Sequence, residues 1–213
     1  MSTISSGTTS NTAYIVSADT TGDLVLSPTN FLSATQKSLG TGRVPAEQFY
    51  ALNTAVTGAN ATGAQSIFGV GVTLVGSTIY QFEAVISMSK TAGGVSYIMS
   101  SVFGGTATLN SITYSLSSTA DITSFVPTAS PTGITQMYIQ AATAAIRPTS
   151  SAAALYIQYV FKGIVSVNAG GTFIPQYSLS AAPGGAFTVQ AGSYFKISPL
   201  AASGSNVNIG SWA

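Results

Sequence analysis

Tyr80-Gln81-Phe82-Glu83-Ala84-Val85-Ile86-Ser87-Met88-Ser89-Lys90 reads with a period of two. Tyr80, Phe82, Ala84, Ile86 and Met88 fall on one side of it; Gln81, Glu83, Ser87 and Ser89 fall on the other. Successive side chains of a strand point to opposite faces, so the stretch predicts a half-buried strand of about ten residues. Lys90-Thr91-Ala92-Gly93-Gly94 follows as a turn.

The same pattern continues downstream. Ile98, Ser100 and Val102 begin a second strand, stopped at Gly104-Gly105, and Ile112, Tyr114 and Leu116 make a third. Pro127 to Gly133 is a loop, and Tyr138 and Ile139 sit in a fourth strand. Leu155, Ile157, Tyr159, Phe161, Val165 and Val167 share one face of a long strand with a bend expected at Gly163. Gly170-Gly171 turns the chain into Phe173, Tyr177 and Leu179, and Pro183-Gly184-Gly185 turns it into Phe187 and Val189. Phe195 and Ile197 make the last strand, ended by Pro199. About eight strands at roughly ten-residue spacing predict an all-β fold, a jelly-roll-like β-sandwich body over residues 44–213. No period of self-similarity runs through the chain, which excludes a propeller or solenoid.

Tyr80, Phe82, Tyr159, Phe161, Phe173 and Tyr177 alternate inward and are expected in the core. Tyr50, Tyr97, Tyr156 and Tyr194 are not placed by alternation. Exposed Tyr among Ser, Thr and Asn suits contact with glycans or protein surfaces.

Upstream, residues 1–12 are polar and read as an extended arm. Tyr14-Ile15-Val16 and Leu24-Val25-Leu26, joined by a turn through Asp19 to Asp23, predict a short hairpin stopped by Pro28. Residues 30–43 read as a linker, so 1–43 form an N-terminal arm and hairpin. A lone hairpin is marginally stable. Tyr14, Val16, Leu24 and Leu26 are therefore candidate attachment or interface residues. Val44 to Asn53 is the one short helix expected, with Pro45 at its first position and Phe49, Leu52 and Val56 at helical spacing. Trp212, the only Trp, is the fifth interface candidate, either an anchor into a neighbour or a plug on its own body.

Charge narrows the function. Only 5% of residues are charged, against a typical value of about 25%. Lys37, Arg43, Lys90, Arg147, Lys162 and Lys196 are spread along the chain, and the net charge is +1. Phosphate neutralisation needs clustered cations, so nucleic-acid binding is not expected. No run of about 20 apolar residues occurs, so membrane insertion is not expected. Met1 to Gly7 lacks the basic and apolar regions of a secretory signal. A surface nearly without charge suits a protein packed against copies of itself.

Catalytic residue types are scarce. The chain has neither His nor Cys, which removes the commonest general base, metal ligand and thiolate nucleophile. Asp19, Asp23, Glu47, Glu83 and Asp121 are the only carboxylates. Asp19 and Asp23 fit a turn, and Glu83 a solvated strand face. Gly104-Gly105-Thr106 and Gly170-Gly171-Thr172 lack the Lys of a phosphate loop. Neither catalytic residues nor a metal or other cofactor is expected.

Several stretches carry a family likeness: Arg43 to Tyr50, Thr57 to Phe68, Val72 to Lys90, Phe103 to Ala107, and Phe187 to Ile197 closing on Gly210-Ser211-Trp212. With the opening Ala18 to Leu26, they resemble virion structural proteins of tailed bacteriophages, of the capsid decoration or tail-fibre type. The resemblance implies a homotrimeric β-rich body fixed to a virion by its N-terminal segment, with the major capsid protein or another virion protein as partner. It places the chain on the outer surface of the capsid, or on the tail. With no stalk, heptads or collagen-like repeat, a chain of 213 residues better suits a capsid decoration (cement) or head-fibre protein. The alternative is a short tail fibre that recognises a host surface glycan.

Overall fold

The computed structural model describes residues 3–6, 14–17, 47–122, 134–150, 154–204 and 206. The chain divides into two compact units, Met1–Leu39 and Gly40–Ala213. In the first, β1 (Thr3–Ser6) pairs antiparallel with β2 (Tyr14–Ser17), with Ile4 opposite Val16 and Ser6 opposite Tyr14. The strand expected at Tyr14-Ile15-Val16 is present. The stretch read as arm supplies it with a strand partner, since Thr3-Ile4 carries two β-branched residues. The other expected partner, Leu24–Leu26, lies outside the described residues.

The second unit is all strand and connection among the described residues. In chain order it contains β3 (Gln48–Ala51), β4 (Val56–Thr57), β5 (Gly63–Ser66), β6 (Val72–Leu74), β7 (Thr78–Lys90), β8 (Tyr97–Gly104) and β9 (Thr108–Ile122). Then come β10 (Ile134–Ile139), β11 (Thr143–Ser150), β12 (Leu155–Ala169), β13 (Gly171–Leu179), β14 (Thr188–Val189) and β15 (Tyr194–Ala202). Two antiparallel sheets result. The larger has eight strands, ordered β10-β9-β12-β7 and then β14-β4, with β15 also on β7 and β3 on β15. The smaller has five, ordered β11-β8-β13-β5, with β6 on β13.

The strand predicted from Tyr80 to Lys90 is β7, at the centre of the larger sheet. Its register to β12 runs unbroken from Lys90↔Leu155 to Thr78↔Val167. Tyr80, Phe82, Ala84, Ile86 and Met88 are all buried. The register passes through Gly163 without a shift, so no bulge stands there. Gly163 answers a close approach instead: a methyl there would run into Thr113 O and the backbone of Tyr114 on β9.

Aromatic rings from both sheets meet in one core. Phe103 of β8 packs on Phe82 at 5.4 Å, Tyr114 at 5.4 Å and Phe161 at 5.4 Å, from three strands of the larger sheet, and stacks on Phe173 of β13 at 5.0 Å. Offset and edge-on contacts of this kind favour aromatic pairs beyond simple burial. On β8 the buried side chains are Tyr97, Met99, Ser101 and Phe103, while Ile98 is exposed. The bulkier ring and thioether side chains take the core side, and the β-branched residues read first in the sequence take the other.

Three expectations are corrected. The helix expected over Val44–Asn53 gives way to strand in its described part, while residues 44–46 lie outside the described residues: Gln48 to Ala51 pair with Ile197 to Tyr194 of β15. Phe49, Leu52 and Val56 do not share a face, because Leu52 is buried and Phe49 is exposed. The backbone of Leu52 is tied on both sides, its N–H to Ser193 O at 2.9 Å and its carbonyl to Gly192 N–H at 2.8 Å. Secondly, β15 does not end at Pro199 but continues to Ala202, with its register to β7 broken between Pro199 and Ala201. Proline cannot donate to the ladder, so it sits where the ladder slips. Thirdly, the body holds more strand segments than the eight expected. β3 and β4, β5 and β6, and β14 and β15 lie as broken stretches along β15 and β14, β13, and β7 respectively. A further hairpin, β9–β10, extends the larger sheet beyond β12.

Candidate functional site

Phe49 and Tyr50 are adjacent aromatics on β3, so the pleat sends them to opposite faces of the sheet. Both are exposed, at 59% and 44%, and Val70 nearby at 47%. Among the described residues no strand pairs with the other side of β3, which leaves its backbone N–H and C=O groups at an open sheet edge. Such edges are usually blunted with Lys, Pro or a bulge. Here Gln48 to Ala51 carry no charge, proline or bulge, and only the shortness of the strand, four residues, limits the edge.

An apolar cavity of about 160 Å³ opens beside this edge. β3 forms one wall, with Phe195 and Ile197 of β15 behind it. Phe68 and Val70, from the stretch between β5 and β6, and Val72, which opens β6, form the other, with Pro175 of β13. Pro175 falls in the gap between the part of β13 that pairs with β6, ending at Phe173, and the part that pairs with β5, starting at Gln176. Its carbonyl accepts from Ile67 N–H at 3.1 Å. The cavity therefore exists because neither sheet is closed here. Tyr50 and Phe68 meet edge-on at 5.6 Å on its rim.

On the opposite face of β3, Phe49 stacks on Tyr194 at 5.5 Å. The Tyr194 hydroxyl donates to Glu83 Oε1 at 3.1 Å, and Lys196 Nζ lies 3.7 Å from Glu83 Oε2. Lateral register aligns Phe49, Lys196, Glu83 and Lys162 across four strands. Burial, then the adjoining Glu83 carboxylate, raises the Tyr194 phenol above its ordinary range. The row combines an exposed ring, a carboxylate and two ammonium groups in a chain with few charges.

Lys90 is the opposite case, a lysine that is 1% exposed. Its ammonium donates to the carbonyls of Gly93 at 2.8 Å, Pro183 at 3.2 Å and Ala92 at 3.3 Å, and lies 5.4 Å from the centre of the Tyr97 ring. Burial lowers its pKa below the ordinary lysine value. It fastens the turn after β7 to the turn after β13, where Gly93 and Gly184 touch backbone to backbone. Gly93 has a φ of +81° there. It is a buried structural clasp between the two turns.

Tyr14 and Val16 stand on β2, while Leu24, Leu26 and Trp212 lie outside the described residues. Glu83 and Asp121 are held apart by register: Glu83 is level with Lys162 and Ser115, and Asp121 follows Ser115 by six residues, roughly 20 Å along the strand. Carboxylates that flank a glycosidic bond stand about 5–9.5 Å apart. Among the described residues no three His, Cys, Asp or Glu side chains gather where a metal ion could be held, and no helix is long and apolar enough to cross a membrane.

The open edge was not read from the sequence, because Phe49 had been placed on a helix. The signal available was the Phe49-Tyr50 pair itself, since two consecutive aromatics on a strand cannot both face one core. No protein-family model matches the chain, and no curated protein matches it.

Proposed function

We propose that the chain is a non-enzymatic structural protein of a virion of the tailed-bacteriophage type, a capsid decoration or head-fibre protein that assembles as a homotrimer on the particle surface. The observation that carries this reading is the edge at β3, which exposes Phe49 and Tyr50 and carries no charge, in a chain whose surface has almost no charge to keep copies apart. A second copy, or the major capsid protein, covers that edge.

The body is read as a β-sandwich of jelly-roll type. Strand order supports this. With the β9–β10 hairpin set aside as an insertion, one sheet runs β3/β4, β15/β14, β7, β12 and the other β5/β6, β13, β8, β11. Passage of the chain back and forth between the two sheets in this order supports the doubled Greek-key reading. Because a fold does not fix a function, the virion role rests on the edge, the charge deficit and the likeness of sequence.

Removing the protein from particles tests the role. Capsids lacking it are expected to lose resistance to heat and osmotic shock, and capsids that withstand both like complete ones would rule out cementing.

The Phe49, Tyr194, Glu83 and Lys196 row favours a second reading, recognition of a host surface glycan. An exposed ring can stack on the apolar face of a sugar while Glu83 and Lys196 take its hydroxyls. Purified protein would then bind host cells, and Phe49→Ala would weaken that binding at least tenfold. Equal binding by both forms would remove this reading.

A further inference from the structure

Glu83 turns both of its oxygens to one side of β7. Oε1 accepts from the Tyr194 hydroxyl at 3.1 Å and Oε2 lies 3.7 Å from Lys196 Nζ, and both partners belong to β15. Lys162 stands on the other side, directly opposite Glu83 in the register of β7 to β12. Despite that proximity, no carboxylate among the described residues pairs with Lys162, which is exposed. Its next lateral neighbour is Ser115 of β9, exposed as well, which adds a hydroxyl and no charge.

On the glycan reading of this row, we propose that it takes an acidic oligosaccharide, with one sugar ring on Phe49 and the carboxylate of another sugar on Lys162. The row is polarised. At the β3 end stands the exposed Phe49 ring, with the exposed Glu47 two residues before it. At the β12 end stands an ammonium without a counter-charge, since Glu83 is taken up by β15. A sugar carboxylate is repelled at the first end and attracted at the second. β3 and β12 are three strand spacings apart, about 14 Å. A single sugar does not bridge that distance, so the ligand is an oligosaccharide lying across the strands, with the Ser115 hydroxyl beside its acidic end. An exposed ion pair is weak by itself and screened by salt. Stacking on Phe49 therefore supplies most of the affinity, and Lys162 sets the preference for an acidic over a neutral glycan.

Binding of the full chain to an array of acidic and neutral oligosaccharides reads this preference, and carboxyl-reduced forms of the acidic glycans isolate the charge. Carboxylate-bearing glycans are expected to bind and to lose about fivefold in affinity on carboxyl reduction. Lys162→Gln should cost the same factor with the acidic form and nothing with the reduced form, whereas Phe49→Ala weakens both at least tenfold. Raising NaCl from about 0.05 M to about 0.5 M should weaken the acidic form alone. Circular dichroism checks that each variant is folded. Equal binding of the acidic and reduced forms overturns the acidic class, and acidic binding untouched by Lys162→Gln overturns the seat of the carboxylate. In both cases the glycan reading stands. Absence of binding to every glycan on the array and to host cells overturns the proposal and the glycan reading together.

Discussion

Five tyrosines, Tyr80, Tyr97, Tyr114, Tyr159 and Tyr177, are among the largest fully buried side chains, and each brings a hydroxyl into the core. Tyr177 donates to Gln65 Oε1 at 2.9 Å, Tyr159 lies 3.6 Å from Met88 Sδ, and Tyr80 accepts from Val75 N–H at 2.9 Å. Burial raises the pKa of Tyr177 to about 12, from 10.0. It raises that of Tyr159 as well, reinforced by the neighbouring Tyr177. A phenol that ionises less readily folded than unfolded holds its proton longer in the native state. Its contribution is complete below pH 10 and is lost as pH rises through the folded value. For Tyr177 the loss is about 1 kcal/mol at pH 11 and approaches about 3 kcal/mol beyond pH 12. Lys90 acts in the other direction. Its lowered pKa makes the unfolded chain the better proton binder just below the ordinary lysine value, so its share of stability grows as pH rises toward that value. The tyrosines outnumber it, and urea midpoints are expected to fall steeply above pH 10. Tyr177→Phe should lower stability at pH 8 by about 1 kcal/mol through the lost hydrogen bond and make the alkaline fall shallower. Lys90→Met should cost about 2 kcal/mol at neutral pH, because three carbonyls lose their shared donor. An unchanged urea midpoint would show that the turns need no clasp.

Strands were legible where the sequence alternates over a long enough stretch. β7 and β12 each carry five or more inward apolar positions, and a one-residue slip would turn every one of them out of the core. Short elements carried too little pattern. β3 has four residues, and over the eight from Phe49 to Val56 the spacing of Phe49, Leu52 and Val56 fits a helical period as well as any strand. The backbone of β15 decided between them by offering a ladder from Tyr194 to Ile197. The same shortness hid the candidate site, because cavity and edge arise where β3, Pro175 and the stretch before β6 fail to close the sheets. That is a relation between elements far apart in sequence, with no local signature. Gly163 carries another such relation. Its absent side chain was read as a bend, but its cause is Tyr114 on a strand nearly fifty residues earlier. Gly163→Ala is expected to destabilise the chain by about 2–3 kcal/mol through enforced displacement of β9. A melting temperature within one degree of the parent chain would show that β9 yields freely.

At the scale of the molecule, the charge deficit and the open edge belong together. Three of the few charges, Glu83, Lys162 and Lys196, lie in one row on the outer face of the larger sheet, and Lys90 is buried. β3 is left with exposed Phe49 and Tyr50 and, among the described residues, an unpaired backbone edge. The sequence reading anticipated burial against other subunits from composition but placed it on the N-terminal hairpin and Trp212. The second unit supplies an edge of its own. The most direct test is the molar mass of the purified chain by light scattering across a range of concentrations, with Phe49→Lys as the comparison. The expected result is three times the 21.5 kDa chain mass for the parent, falling toward a single chain mass for Phe49→Lys, whose circular dichroism spectrum stays that of the folded parent. A parent chain that stays at 21.5 kDa at every concentration would contradict assembly through this edge.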